Sequence, residues 1–333
     1  MEPKRTKDLY SVVLPLYYVS KILGFIPFTL VGQTGTRKFK VSNLGLTYST
    51  IIGIVSLMCH SLFFFYDYSE YSSEKVFSAA ENLHSICHLI FSFVLYVILF
   101  MKNRSILDII NKLSDINIVH TNDYGIWNMI LVCWIFIIFL IYISVIGIIN
   151  LLSTVNNIAL LISNNYGFFC SLIFSLIEVH FINIMFLLKK YFSTINSTIC
   201  DVMNEFHSSE KTVHLKTVKG LNILSKTVIS TKTKLNYLKE LHCDMCNITE
   251  LANSTYNMKM LFIIADKFCD TLSNAYFTVI TILNYDKGPF SGSVWNITAI
   301  CFMCFSAVQF ILILWYASAA AGEVSVYYVT ELP

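Results

Sequence analysis

Charge is what this sequence has least of. Only 13% of its 333 residues are Asp, Glu, Lys or Arg, against 56% apolar residues, whereas soluble domains carry about twice that charge fraction. The shortage is also localised, with no charged residue from 41 to 66, 82 to 101, 124 to 177 or 288 to 322. Each gap holds a helix of roughly 20 residues, and the third holds two with a turn between them. These runs are too long for buried strands and lack strict alternation, so a soluble domain is excluded and an all-α polytopic membrane protein is expected.

Other absences narrow the function. There is no Walker loop, GxSxG elbow or HExxH, and the scattered carboxylates form no acid/base pair, so an enzyme is not expected. No secretory signal peptide is expected, because the apolar stretch after the charged start is broken by Pro15, Lys21 and Pro27 and lacks a small-residue cleavage site. No internal repeat or low-complexity tract occurs. The ten cysteines lie mostly within or beside apolar segments, which suits reduced, buried thiols and not a disulfide framework. "CDMC" (Cys243, Cys246) and "CFMC" (Cys301, Cys304) have CxxC spacing but lie on helices, so packing is their reading. The net charge of +2 carries no nucleic-acid signature. "HSICH" sets His84 and His88 one helical turn apart; with no convergent partners in sight they read as pocket-facing or interhelical groups, and no metal or cofactor is expected.

Six spans are predicted, at about Gly45–Tyr66, Ala80–Met101, Ile126–Asn150, Ile158–Leu188, Met258–Leu283 and Ser293–Ser318. Basic residues favour the cytoplasmic side. Lys4, Arg5, Lys7, Lys21, Arg37, Lys38 and Lys40 precede the first span, Lys102, Arg104 and Lys112 follow the second, and a third group lies between Lys189 and Lys239. The other connections hold only Lys75 and Lys287. The N-terminus is therefore expected inside. The stretch from Lys189 to Lys239 has no proline and a single glycine, Gly220, and Leu235, Leu238, Leu241 and Met245 recur at helical steps. Long helical cytoplasmic extensions of helices 4 to 6 are expected, not a disordered loop. The division expected is a cytoplasmic segment at 1–44, spans 1 to 4 at 45–188, anchor helices at 189–257, spans 5 and 6 at 258–318, and a cytoplasmic start of a further segment at 319–333. The sequons at Asn103, Asn196, Asn247 and Asn253 then face the cytoplasm and are silent.

Ionisable groups inside spans cost several kcal/mol unless they face a polar interior. Glu178 and His180 lie in the inner part of the fourth span, and Asp266, Lys267 and Asp270 lie along the fifth. Asp266 and Asp270 share a helix face at i, i+4 and so need water or a cationic partner. Glu178, Asp266 and Asp270 are candidates for gating or for interhelical pairing, with Lys267 or a neighbour as the cation. The external connections are short, so a ligand would be met within the bundle. Candidate contacts at the outer ends are His84, His88, Tyr142, Asn165, Tyr166, Asn274, Tyr276 and Trp295, whose rings and amides suit a small neutral molecule. Tyr and Trp also serve as interface anchors.

Three stretches then add a resemblance: "YYVSKILGFIPF" (Tyr17 to Phe28), "LKELHCDMCNITELANSTYNMKMLF" (Leu238 to Phe262) and "ASAAAGEVSVYYVTEL" (Ala317 to Leu332). In this order, with an inverted topology, they resemble the insect gustatory receptors of the seven-helix chemosensory receptor superfamily. The motif positions here are Gly24, Pro27, His242 and Glu323. The resemblance implies a homo- or heterotetrameric, ligand-gated, nonselective cation channel in the plasma membrane of gustatory sensory neurons, detecting tastants such as bitter compounds or sugars. It also implies a seventh, pore-lining helix ending in Thr-Tyr, five apolar residues, Gln-Phe. "AVQF" (Ala307 to Phe310) lies in the sixth span without that Thr-Tyr, so the chain is expected to hold six helices of seven and to be a fragment, an incomplete gene model or a truncated isoform, the last a nonfunctional or modulatory receptor fragment. Two other classes compete. A G-protein-coupled receptor needs an extracellular N-terminus, and a transporter predicts related halves and broken midplane helices, neither of which is visible.

Overall fold

Long charge-free runs with few helix breakers propagate as helices once nucleated, and the architecture is dominated by five such rods. The structure is a computed structural model describing residues 9–32, 37–70, 75–116, 158–213, 219–283 and 293–330. A short helix, α1 (Leu9–Ile22), and two strands, β1 (Phe28–Val31) and β2 (Lys38–Val41), precede the rods. The rods are α2 (Asn43–Glu70), α3 (Lys75–Asp115), α4 (Ile158–Val213), α5 (Lys219–Leu283) and α6 (Ser293–Thr330). The described part of the chain is thus mostly helical, in keeping with an all-α membrane protein, and carries one short hairpin besides. The predicted spans 1, 2, 4, 5 and 6 lie within α2 to α6 in turn, and the span at 126–150 lies outside the described residues. The rod of the second span also runs on to Asp115, well past the expected end at Met101.

The sequence explains how α1 stops. Gly24 has φ +71°, a left-handed conformation that glycine adopts without steric cost. Phe25 N donates to Ser20 O at 2.8 Å and Gly24 N to Lys21 O at 3.1 Å. These are the two bonds of a Schellman cap, which satisfies carbonyls that the helix end leaves open. A Cβ on Gly24 would also lie 3.1 Å from that of Ile52. Pro27 follows, and its carbonyl accepts from Ser42 N at 2.9 Å. The Gly-x-x-Pro pattern is therefore a stop signal that turns the chain into β1.

The strands pair antiparallel, Phe28 opposite Val41 and Leu30 opposite Phe39. Phe28 and Phe39 are buried while Lys38 and Lys40 are exposed. The free edge of β2 is occupied by a side chain. Asn111 Nδ2 donates to Phe39 O at 3.0 Å and Asn111 Oδ1 accepts from Phe39 N at 3.1 Å. The carboxamide thus pairs like one residue of a neighbouring strand, which covers an edge that would otherwise be open. Tyr10 OH donates to the same oxygen at 3.0 Å, and Tyr17 OH donates to Phe28 O at 2.8 Å.

Helix directions follow from cross-helix contacts. Along α3 and α5, His88 meets Asp266 and Phe91 meets Phe262, so these two run antiparallel. Along α4 and α6, Ser175 meets Gln309 and Asn196 meets Glu323, so these two run parallel. In α4 every residue from 173 to 185 is buried. A helix covered on all sides is the core of its bundle, and α2, α3, α5 and α6 account for the rest of it.

Candidate functional site

The interior polarity is concentrated on α4, whose buried stretch contains Ser175, Glu178, His180 and Asn183 among apolar residues. Three of the four point to different neighbours. Gln309 Nε2 of α6 donates to Ser175 Oγ at 3.1 Å. His180 Nε2 lies 2.7 Å from Ser20 Oγ of α1, and the ring stacks on Phe25 at 5.4 Å. Since the Ser20 hydroxyl also donates to Leu16 O at 2.6 Å, Nε2 is the donor to Ser20 Oγ. Glu178 is fully buried, and neither carboxyl oxygen has a hydrogen-bond partner among the described residues. The charges within its reach are Lys267 and Asp266 of α5.

On the α3–α5 seam, His88 Nδ1 and Asp266 Oδ1 are 2.8 Å apart, both residues are buried, and the Phe174 ring of α4 stands edge-on to the imidazole. An ionised carboxylate only accepts, so Nδ1 carries the proton of this bond. Asp270, one turn further along α5, is half-buried beside the pair. The partner of Asp266 is thus His88, 178 positions away, and not Lys267. Towards the N-terminal end of the predicted fifth span, Lys259 is fully buried with Nζ 5.0 Å from the Tyr256 ring centroid, and no hydrogen-bond acceptor reaches it among the described residues. That distance is within cation–π range. Lys259, Ser20 and Gln309 escaped the sequence reading. A single lysine early in an apolar span was the available signal for the first.

The other predicted positions are placed as follows. His84 lies on α3, Asn165 and Tyr166 on α4, Asn274 on α5 and Trp295 on α6, each by its backbone alone, and Tyr142 lies outside the described residues. Tyr276 of α5 is half-buried. The described residues therefore bring together His88, Asp266, Asp270 and Glu178, while the remaining candidates stay assigned by helix position only. His242 is buried on α5, 3.6 Å from Cys246 Sγ and edge-on to Phe192. Glu323 is engaged through its backbone, its carbonyl accepting from Asn196 Nδ2 at 3.0 Å.

Outside this polar interior the rods present apolar stripes. Leu44, Tyr48, Ile51, Val55 and Met58 on α2 are exposed at steps of three and four, as are Ile86, Ile90, Phe93, Val97 and Phe100 on α3. Val308, Ile311 and Trp315 continue the pattern on α6. Among the described residues, Ile86–Asp115 and Ala307–Val324 are long and apolar enough to cross a membrane. Apolar stripes facing out with ionisable groups facing in reverse the arrangement of a soluble protein.

That inversion defines a polytopic, helical membrane protein. Residues 13–326 match the 7tm Chemosensory receptor family, and the chain belongs to it. It is a family of membrane-embedded, ligand-binding receptors and not of enzymes. No curated protein matches the chain.

Proposed function

We propose that this receptor is a gustatory receptor subunit, a ligand-gated nonselective cation channel opened by small-molecule tastants such as bitter compounds or sugars. It works in the plasma membrane of gustatory sensory neurons, as a homo- or heterotetramer with other receptor subunits when full length, with its N-terminus inside. The observation that carries the reading is the polar hub on α4. Ser175 and His180 are tied by hydrogen bonds to different elements, and Glu178 faces the charges of a third. Any shift of α1, α5 or α6 about α4 must exchange one of these buried polar contacts for another. Packed interfaces of that kind have discrete arrangements instead of continuous ones, which is what a gate requires. A tastant seated between the outer halves of the helices, among His84, His88, Tyr142, Asn165, Tyr166, Asn274, Tyr276 and Trp295, would bias that choice by binding one arrangement more tightly.

The test is whole-cell recording from cells expressing the receptor, alone and with co-subunits, during application of a bitter-compound and sugar panel, with GDPβS in the pipette. A tastant-evoked inward current that persists under GDPβS supports a channel. A response abolished by GDPβS supports G-protein coupling and rejects it.

A further inference from the structure

The seam between α3 and α5 carries a donor set that gustatory function does not require. His88, Asp266 and Asp270 each offer one ligand atom, and the three atoms lie within 4.8 Å of one another. They come from two rods, with the two carboxylates on one face of α5 at i, i+4 and the imidazole facing them from α3. Asp266 is 98% removed from solvent (2% exposed), and its second oxygen, Oδ2, has no hydrogen-bond partner among the described residues. A buried carboxylate oxygen without a donor is costly unless something else neutralises it.

The charge balance points the same way. Asp266 and Asp270 stand close together, and Asp266 is also in reach of Glu178, as is Lys267. Carboxylates grouped in this way repel, and a divalent cation among them relieves the repulsion. Zinc holds imidazole nitrogen and carboxylate oxygen at about 2.0–2.2 Å, so its tetrahedral ligands sit roughly 3.3 Å from one another. With His88 Nδ1 and Asp266 Oδ1 now 2.8 Å apart, small rotations of the side chains bring all three atoms to such distances. An imidazole in the set favours zinc-class metals over calcium and magnesium, which take all-oxygen shells.

We propose that His88, Asp266 and Asp270 form a binding site for a zinc-class divalent cation that bridges α3 and α5. On binding, the proton on Nδ1 moves to Nε2, the imidazole stays neutral, and the freed Nδ1 lone pair goes to the metal. The bridge replaces a single hydrogen bond with coordination from both rods, and it holds the seam closed. This inference stands on the cluster alone and is independent of the channel reading.

The test uses the purified full chain in nanodiscs, in a Cys200→Ser, Cys243→Ser background that removes two exposed thiols. Zn²⁺ is titrated after chelator treatment, bound metal is counted by mass spectrometry, and Co²⁺ is used as a spectroscopic probe. The expected result is about one equivalent per chain, a Co²⁺ spectrum with the intense d–d bands of a four-coordinate site, and a Tm raised by Zn²⁺ but not by Ca²⁺ or Mg²⁺. Asp270→Asn, at a half-buried position, should weaken Zn²⁺ affinity at least about tenfold while leaving the metal-free Tm near that of the parent, and His88→Gln should do the same or more. Zinc uptake unchanged in both variants, equal displacement by Ca²⁺, or a Tm that Zn²⁺ does not move would each overturn the proposal.

Discussion

Replacing Asn111 by alanine removes three hydrogen bonds at one point of the fold. Its carboxamide accepts from Tyr10 OH at 3.0 Å and from Phe39 N at 3.1 Å, and donates to Phe39 O at 3.0 Å. A typical intramolecular hydrogen bond contributes about 1 kcal/mol net, so the two to Phe39 hold the β1–β2 hairpin on α3 by about 2 kcal/mol, and the third ties α1 to the same side chain. The two bonds to Phe39 amount to roughly thirtyfold in the equilibrium between docked and undocked hairpin. Asn111→Asp keeps both acceptor roles but sets a carboxylate oxygen against Phe39 O in place of the donor, so it should open the hairpin at least as much as alanine does, while Tyr10→Phe loses one bond and should cost about 1 kcal/mol. The assay is amide hydrogen exchange of the peptide covering 28–41 in nanodiscs, where a local opening free energy is read directly. Exchange in Asn111→Ala that stays within about threefold of the parent would refute the reasoning, because the opening free energy would then have moved by well under 1 kcal/mol. So would an Asn111→Asp variant as closed as the parent.

Three further outcomes follow from the same geometry. Gly24→Ala forces a β-carbon into a left-handed residue that also abuts Ile52, and a lowered Tm corresponding to about 1–2 kcal/mol is expected in thermal unfolding. Ser20→Ala leaves the buried Nε2 of His180 without its partner, and a loss of about 1–3 kcal/mol is expected by the same measurement, with Ser20→Thr retaining most of the stability. Tyr191, just beyond the predicted fourth span, donates to Leu113 O at 3.0 Å, and burial pushes its phenol up to about 12. A folded-state value above the unfolded one means stability is complete below about pH 10 and falls as pH rises towards 12; unfolding followed across that window should show the loss, and Tyr191→Phe should flatten it.

The long rods were legible because a charge-free run of helical length has few alternatives in a membrane, and α2, α4, α5 and α6 begin within a residue or two of a predicted boundary or extend it along a periodic pattern. The N-terminal hairpin was not. Strands of four residues leave too short an alternation to read, and this pair is defined by Asn111, about 70 residues away, and by Tyr10 and Tyr17 on α1. Gly24 and Pro27 were conspicuous as a pattern, yet their role as a helix stop appears only in the two capping bonds. The polar interior was half legible. The cost of charge in a span marked Glu178, Asp266 and Asp270, but no local rule pairs Asp266 with His88 across 178 positions. Glu323 shows the opposite failure, since its position was marked by a side chain and its contact to Asn196 uses the backbone.

On the proposed reading the full-length receptor, with its co-subunits, converts ligand binding into ion flow without a soluble cascade, through helices packed around the buried hub on α4. Recording from outside-out patches pulled from cells expressing the receptor and its co-subunits, without nucleotides on the cytoplasmic face, tests it most directly. The account predicts single-channel openings that begin on tastant application, carry both Na⁺ and K⁺, and are altered when Glu178→Gln changes the hub. Patches that stay silent to a tastant which still excites the intact cell would contradict it, because the signal would then depend on a soluble cascade and not on the receptor's own pore.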